Sequence, residues 1–276
     1  MSIIKHNNIN WKLYQGALVP DVAPHINIEL NEEDKTFLLK ESNAFFLRYT
    51  NDWDCYKETD FWYVINDKLC HIEDYSAKTR KHIRKGISEC EISILDNKSF
   101  IAADGYIVYS EAMKHYNGFL TIISKENYDE NILNCEDEFV CVFYQNKMIA
   151  YRQVRLMGNS AEFKVSKSIP EYQKYYPNYL MFFYCTQHYI GDIGVNYTCS
   201  GAKSLSHETN IQTLLISKFN YRKAYCRLNV VYRKDIGIVV KLLYPFKSIL
   251  EKIKIKPVEK LVVLLRHEEI RRNCAK

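Results

Sequence analysis

From residue 139 onward the apolar positions run in short stretches broken by turn residues. Residues 139–144 (F-V-C-V-F-Y) read as a strand, Gln145-Asn146-Lys147 as a turn and 148–157 as a second strand. Gly158-Asn159 makes another turn and 161–166 a third strand, so the pattern predicts an antiparallel meander with short hairpins. The period then changes. Pro170 and Pro177 punctuate a Tyr-rich loop, and Pro177 suits the first turn of a helix reaching about residue 189. Residues 193–199 read as a strand. Ser206 suits the N-cap of a helix to 219, with Ile211, Leu214, Leu215 and Phe219 on one apolar stripe. Residues 224–232 form a last strand. The order β-β-β-α-β-α-β predicts a mixed α/β sheet whose meander is followed by helical crossovers.

Upstream the signal is weaker. Residues 45–49 and 61–66 are short aromatic β-like runs. Ser76 predicts the cap of a helix to about 85, closed by Gly86, and 90–95 alternates as the next strand. Residues 104–116 and 125–135 read as helices. The sequence accordingly divides into 1–135, 136–233 and a basic amphipathic helical extension, 234–276.

Composition removes several functions. With 9 Gly in 276 residues there is no G-x-G-x-x-G, no G-x-x-x-x-G-K-[ST] and no G-x-S-x-G, which disfavours dinucleotide, P-loop and α/β-hydrolase chemistry. The 9 Cys contain no C-x-x-C, and no two His stand at H-E-x-x-H spacing, so no metal is expected and the thiols read as reduced small hydrophobes. The start, Met1-Ser2-Ile3-Ile4-Lys5-His6, has no apolar signal core. The uncharged stretch 175–191 holds Pro177, Asn178, Gln187 and His188 and does not read as a membrane span. A cytoplasmic protein is expected. Charge sits at the end: residues 234–276 carry a net +6 against +5 for the whole chain. That extension alternates apolar runs with Lys/Arg and suits peripheral docking on an anionic membrane, or packing back on the domain. A second basic cluster, Lys78, Arg80, Lys81, Arg84 and Lys85, suits a phosphorylated ligand or RNA, or a solvated helix face.

The strand order from 139, F-K-V-S-K-S-I-P-E-Y in and after the third strand, Y-Y-P-N-Y-L-M-F-F-Y and K-F-N-Y-R-K-A-Y-C-R-L resemble the GNAT (acyl-CoA-dependent N-acyltransferase) core as found in FemAB-related proteins. The earlier S-A-K-T-R-K-H-I-R-K-G resembles the N-terminal half of that group, so the likeness covers roughly 60–232. It implies a tandem GNAT-like fold with an incomplete N-terminal half. It also implies acyl transfer from a thioester such as acyl-CoA to an amine of a small metabolite or sugar precursor, which suits cell-envelope chemistry. The alternatives are a FemAB-type transferase with a charged tRNA as donor and partner, and a binding protein without catalysis. In such folds two parallel strands splay, here those at 161–166 and 193–199, and the donor's pantetheine arm pairs with the exposed strand edge. Phe163, Val165 and Ser166 would then line the donor. One departure stands out: the glycine-rich pyrophosphate loop is replaced by Lys167-Ser168-Ile169-Pro170-Glu171-Tyr172, with Lys167 and Lys174 as substitute cations.

Amine acylation needs a base, an oxyanion donor and a proton for the leaving group. The polar stretch 200–210 follows a core strand directly, where open α/β sheets gather ligands. His207 and Glu208 fall in the first turn of the next helix, where the dipole favours neutral imidazole; the plainer alternative is a surface His and a dipole-matched Glu. Glu162 and Lys164 share a strand side by period two, with Phe163 and Val165 opposite, which makes Glu162 a rival base. Arg152 and Arg155 fall on opposite faces, and Arg152 suits a carboxylate or phosphate clamp. Tyr175 and Tyr179 flank the loop and suit either ligand stacking or core packing. Tyr197, Ser200 and Asn210 complete the expected acceptor side.

Overall fold

The computed structural model describes residues 3–114, 122–205 and 210–274. In chain order the first elements are β1 (Ile3–His6), β2 (Ile9–Tyr14), β3 (Ala17–Pro20), α1 (Glu32–Ser42), β4 (Phe46–Asn51), β5 (Trp62–Asn66), α2 (Ala77–Glu89) and β6 (Glu91–Leu95). Next come α3 (Lys98–Lys114), α4 (Lys125–Leu133), β7 (Glu138–Tyr144), β8 (Lys147–Met157), β9 (Ser160–Ser168) and α5 (Pro177–Cys185). The chain closes with β10 (Tyr197–Ala202), α6 (Asn210–Lys218), β11 (Arg222–Tyr225), β12 (Arg227–Tyr232), α7 (Lys234–Leu243), α8 (Lys247–Leu250) and α9 (Lys256–Cys274). They form two compact units: 1–63 with 202–210 and 223–276, and 64–201 with 211–222.

The first unit holds a five-stranded sheet in the order β1-β2-β3-β4-β12. Trp11, Leu18, Leu38 and Leu47 are buried on one side of it. Phe46, Leu228 and Ile270 are buried in a second cluster that brings in α9. His267 and Glu268 of α9 are buried too. Glu268 is held by Arg271 and Arg272 at 2.8 and 2.7 Å. The extension from residue 234 is helical, as expected.

Within the second unit the sheet order is β10-β9-β8-β7-β6. The meander is as predicted: β6, β7, β8 and β9 pair antiparallel in sequence. Gln145 and Asn146 both take positive φ (49° and 61°), the geometry of a two-residue hairpin turn matched to strand twist. α3 and α4 cover one face through Ile101, Val108, Tyr128, Phe139, Cys141 and Tyr151. Ser76 caps α2, its Oγ accepting from Thr79 N at 3.3 Å. Gly86 does not end that helix, which runs on to Glu89. Its missing side chain admits α5 instead: a Cβ there would lie 2.9 Å from Leu180 Cβ and 3.2 Å from Tyr176 O. Pro177 opens α5 at its first turn, and the chain continues as a π-helical stretch over Thr186–Asp192. Two strands shift from expectation. β10 starts at Tyr197, later than residue 193, and the run 224–232 is two strands, β11 and β12, in different sheets.

Candidate functional site

β9 and β10 run parallel but pair over three residues only: Ser160 with Tyr197, Ala161 with Thr198, and Glu162 with Cys199. Past that point β9 continues to Ser168 along β8, and β10 continues to Ala202. A wedge therefore opens between 163–168 and Ser200-Gly201, as expected, with its mouth a few residues further along β10. Among the described residues, β9 beyond Glu162 makes no ladder on the β10 side, so its backbone N–H and C=O groups there are a template for an added strand.

A bulge re-aims the side chains at this edge. Gln153 stands opposite Val165 and Val154 opposite Phe163, which leaves Lys164 as an extra residue. The simple alternation placing Phe163 and Val165 together is thereby broken. Phe163 turns toward Arg152 and Tyr189, while Val165 packs against the α3–α4 cluster. Lys164 reaches the buried Asp137 at 3.0 Å. Glu162 sits at the apex of the wedge, level with Cys199 on one side and Arg155 on the other.

Beneath the wedge lies Arg152, only 1 % exposed. Its Nε donates to Ser166 Oγ at 2.8 Å. Its guanidinium is held between Phe163 and Phe182, 4.4 and 4.2 Å from the ring centroids. Among the described residues no carboxylate pairs with it, and its buried Nη1 has no hydrogen-bond partner. The walls are polar as well. Thr198 Oγ1 and Tyr221 Oη lie 3.2 Å apart, both buried. Tyr189 Oη donates to Glu138 Oε2 at 2.9 Å. Burial pushes the Tyr189 and Tyr221 phenols well up, so both remain protonated donors at neutral pH. Burial also raises the Cys185 thiol, against the pull of Arg152. A buried cation with a spare donor is costly unless something else satisfies it. Arg in the middle of the run I-A-Y-R-Q-V was the one signal of this seam in the sequence; the nearby Tyr221 and Cys185 carried none.

The other predicted residues scatter. Ser200 stands just past the last β9–β10 pair, and Tyr197 is buried at the closed end opposite Ser160. Lys167 turns to the α3 side, donating to Met113 Sδ at 3.3 Å, where burial lowers its pKa. Lys174 lies over the Tyr175 ring, and Tyr175 stacks on Tyr144 with centroids 4.2 Å apart. Tyr179 packs edge-on against His82 and Phe219. Asn210 is exposed at the start of α6 and belongs to the first unit. His207 and Glu208 lie outside the described residues. Within the basic helix, Arg80 Nη1 donates to Tyr75 O at 2.7 Å and Lys85 lies over Tyr176.

The segment after β9 is closed on itself. Ile169 N donates to Ile149 O, Tyr172 N to Ile169 O and Tyr176 N to Gln173 O, at 2.9, 3.1 and 3.0 Å. Pro170 has no N–H, and Ser168 Oγ accepts from Asn178 Nδ2 at 3.2 Å. The Ile169, Tyr172 and Tyr176 amides are thus already bonded to backbone carbonyls.

No protein-family model and no curated protein matches the sequence. Solved structures do match. FemX superposes with a TM-score of 0.56 at 10 % identity, over 85 % of this chain and 86 % of that one. L-PGS from Bacillus licheniformis gives 0.51 at 11 %, over 99 % and 89 %. The C-terminal domain (DUF2156) of a putative lysylphosphatidylglycerol synthetase from Agrobacterium fabrum gives 0.50 at 11 %, over 87 % and 86 %. At such identities the likeness is one of fold. The chain has the fold of FemX and of L-PGS.

Proposed function

We propose that this chain transfers an acyl group from a thioester or ester to an amine, with the donor arm laid along the free edge of β9. The opening of β9 from β10 after three residue pairs carries this reading. The acceptor nitrogen attacks the acyl carbon, and a base takes the ammonium proton before attack. A β9 backbone N–H near the bulge donates to the developing oxyanion. The C–S or C–O bond then breaks, and the leaving group takes up a proton. Glu162 at the apex and His207, with Glu208 beside it, in the segment after β10 are the two candidate bases. Arg152 and Ser166 hold a carboxylate or phosphate of the bound substrate, which would supply the missing partner of Nη1.

The loop after β9 bears on the choice of donor. Acyl-CoA as co-substrate needs an anion site for its pyrophosphate, and in the turn at Pro170–Tyr175 Pro170 has no N–H and Tyr172 N is already bonded to Ile169 O. That observation favours a second reading, in which the acyl group arrives as an aminoacyl ester on tRNA. Titration calorimetry with acetyl-CoA, longer acyl-CoAs and aminoacyl-tRNA separates the two. Binding of CoA thioesters supports the first, and binding of charged tRNA alone, weakening steeply with salt, supports the second. Binding of neither overturns both.

A further inference from the structure

The segment from α7 to the start of α9 shows an inverted distribution of side chains. α7 buries Val240 but leaves Ile238 62 % and Leu242 65 % exposed. Phe246 (53 %), Ile249 (60 %) and Ile255 (58 %) continue the series. Five large apolar side chains, each more than half in water, thus fall within the 18 residues from Ile238 to Ile255. Scattered exposed apolar residues are ordinary; a dense run is not.

The charges around them are equally one-sided. Lys234, Lys241, Lys252, Lys254 and Lys260 are exposed, and none has an acidic partner among the described residues. Of the nearby acids, Glu259 at the start of α9 is partly buried and pairs with none of these lysines, and the other two are engaged. Asp235 holds Arg233 at 2.7 Å, and Glu251 holds Arg266 at 3.1 Å and Lys247 at 3.5 Å. On α7, Ile238, Lys241 and Leu242 share a face by their spacing. The free surface therefore offers inserted apolar side chains among uncompensated cations.

We infer that this face docks on an anionic lipid surface, with Ile238, Leu242, Phe246 and Ile249 entering the headgroup–acyl boundary and the lysines meeting lipid phosphates. A second copy of the chain is a poor occupant, because a two-fold contact through this face sets the same lysines against each other. Nucleic acid would use the lysines and leave the apolar run in water. Among the described residues no helix is long and apolar enough to cross a membrane. The contact is thus one of lying on the surface. It stands apart from the acyl-transfer reading.

Vesicle flotation of the full chain tests it, with phosphatidylcholine vesicles and with phosphatidylcholine–phosphatidylglycerol vesicles. The chain should float with the anionic vesicles, stay behind with the neutral ones and detach as salt rises. The triple variant Ile238→Asn/Leu242→Asn/Phe246→Asn should lose at least ~10-fold in binding. Lys252→Glu/Lys254→Glu should lose a similar amount. All five side chains are exposed, so circular dichroism should be unchanged in both variants. No flotation with anionic vesicles overturns the inference. So do equal flotation with both vesicle types, a triple variant that floats like the wild type, and a salt-resistant dimer abolished by the triple variant.

Discussion

Arg152→Met separates a binding role from a structural one. In the folded chain Arg152 makes one charge-assisted hydrogen bond to Ser166 and lies between two rings. Those contacts contribute roughly 1.5–3 kcal/mol for the hydrogen bond and about 1 kcal/mol for each ring. Against them stand the desolvation of a buried guanidinium, several kcal/mol, and an unsatisfied Nη1 at ~1–3 kcal/mol. The two sides nearly cancel. Met keeps the length of the side chain and gains sulfur–aromatic contact of ~0.3–1.5 kcal/mol with Phe163 and Phe182. The variant should therefore be within ~1 kcal/mol of the wild type in urea denaturation, or more stable. Substrate binding or turnover should fall by ~100-fold, about 2.7 kcal/mol, because the ligand's anionic group loses its partner. Stability and activity thus move apart. A variant destabilised by ~3–5 kcal/mol with unchanged kinetics would refute the reasoning and make Arg152 a pillar of the core.

Three further outcomes are expected. Of Glu162→Gln and His207→Ala, the one that removes the base should slow turnover at least ~100-fold and flatten the alkaline approach of the pH–rate profile; two unaffected variants would dismiss both residues. Gly86→Ala should cost ~1–3 kcal/mol, because overpacking against Leu180 and Tyr176 outweighs the helix-propensity gain of about 1 kcal/mol, and a stabilised variant would mean that α2 and α5 do not make this contact. His267 is held neutral, Nδ1–H donating to Val263 O at 2.7 Å and Nε2 accepting from Arg48 at 3.3 Å, while burial and then Arg48 push its pKa down to about 4 from 6.5. The unfolded chain binds that proton first, so stability should fall as pH drops from about 6.5 toward 4, by up to ~3 kcal/mol. His267→Gln should remove this slope, and an identical pH dependence in the variant would contradict the assignment.

The meander was legible in the sequence to within two residues at either end, because its strands alternate against named turns and need no partner from afar. Ser76 and Pro177 were legible for the same local reason. What the sequence hid is what distance decides. Gly86 reads as a stop, but its role is to admit Leu180, nearly a hundred residues away. Cys226 lies inside A-Y-C-R-L-N-V-V-Y, which holds no Gly or Pro, and no local rule sends Tyr225 and Arg227 to different sheets. β1 to β3 and α1 carry weak periodicity and went unpredicted, since the partners that bury Trp11 and Leu38 come from the whole first unit. At the site, the wedge followed from the family resemblance, whereas the bulge that parts Phe163 from Val165 leaves no trace in residue type. For Tyr179 the sequence left ligand stacking and core packing open, because a phenol in an aromatic cluster and one at a pocket mouth have the same letter; in the fold its ring meets His82 and Phe219.

Amide hydrogen exchange along β9, with and without a bound acyl donor, tests the wedge most directly. A donor arm paired to that edge should slow exchange at least ~10-fold for the unladdered amides among residues 163–166, and leave 160–162, already paired with β10, unchanged. A donor that binds and is turned over while those amides exchange at the free-protein rate would contradict it.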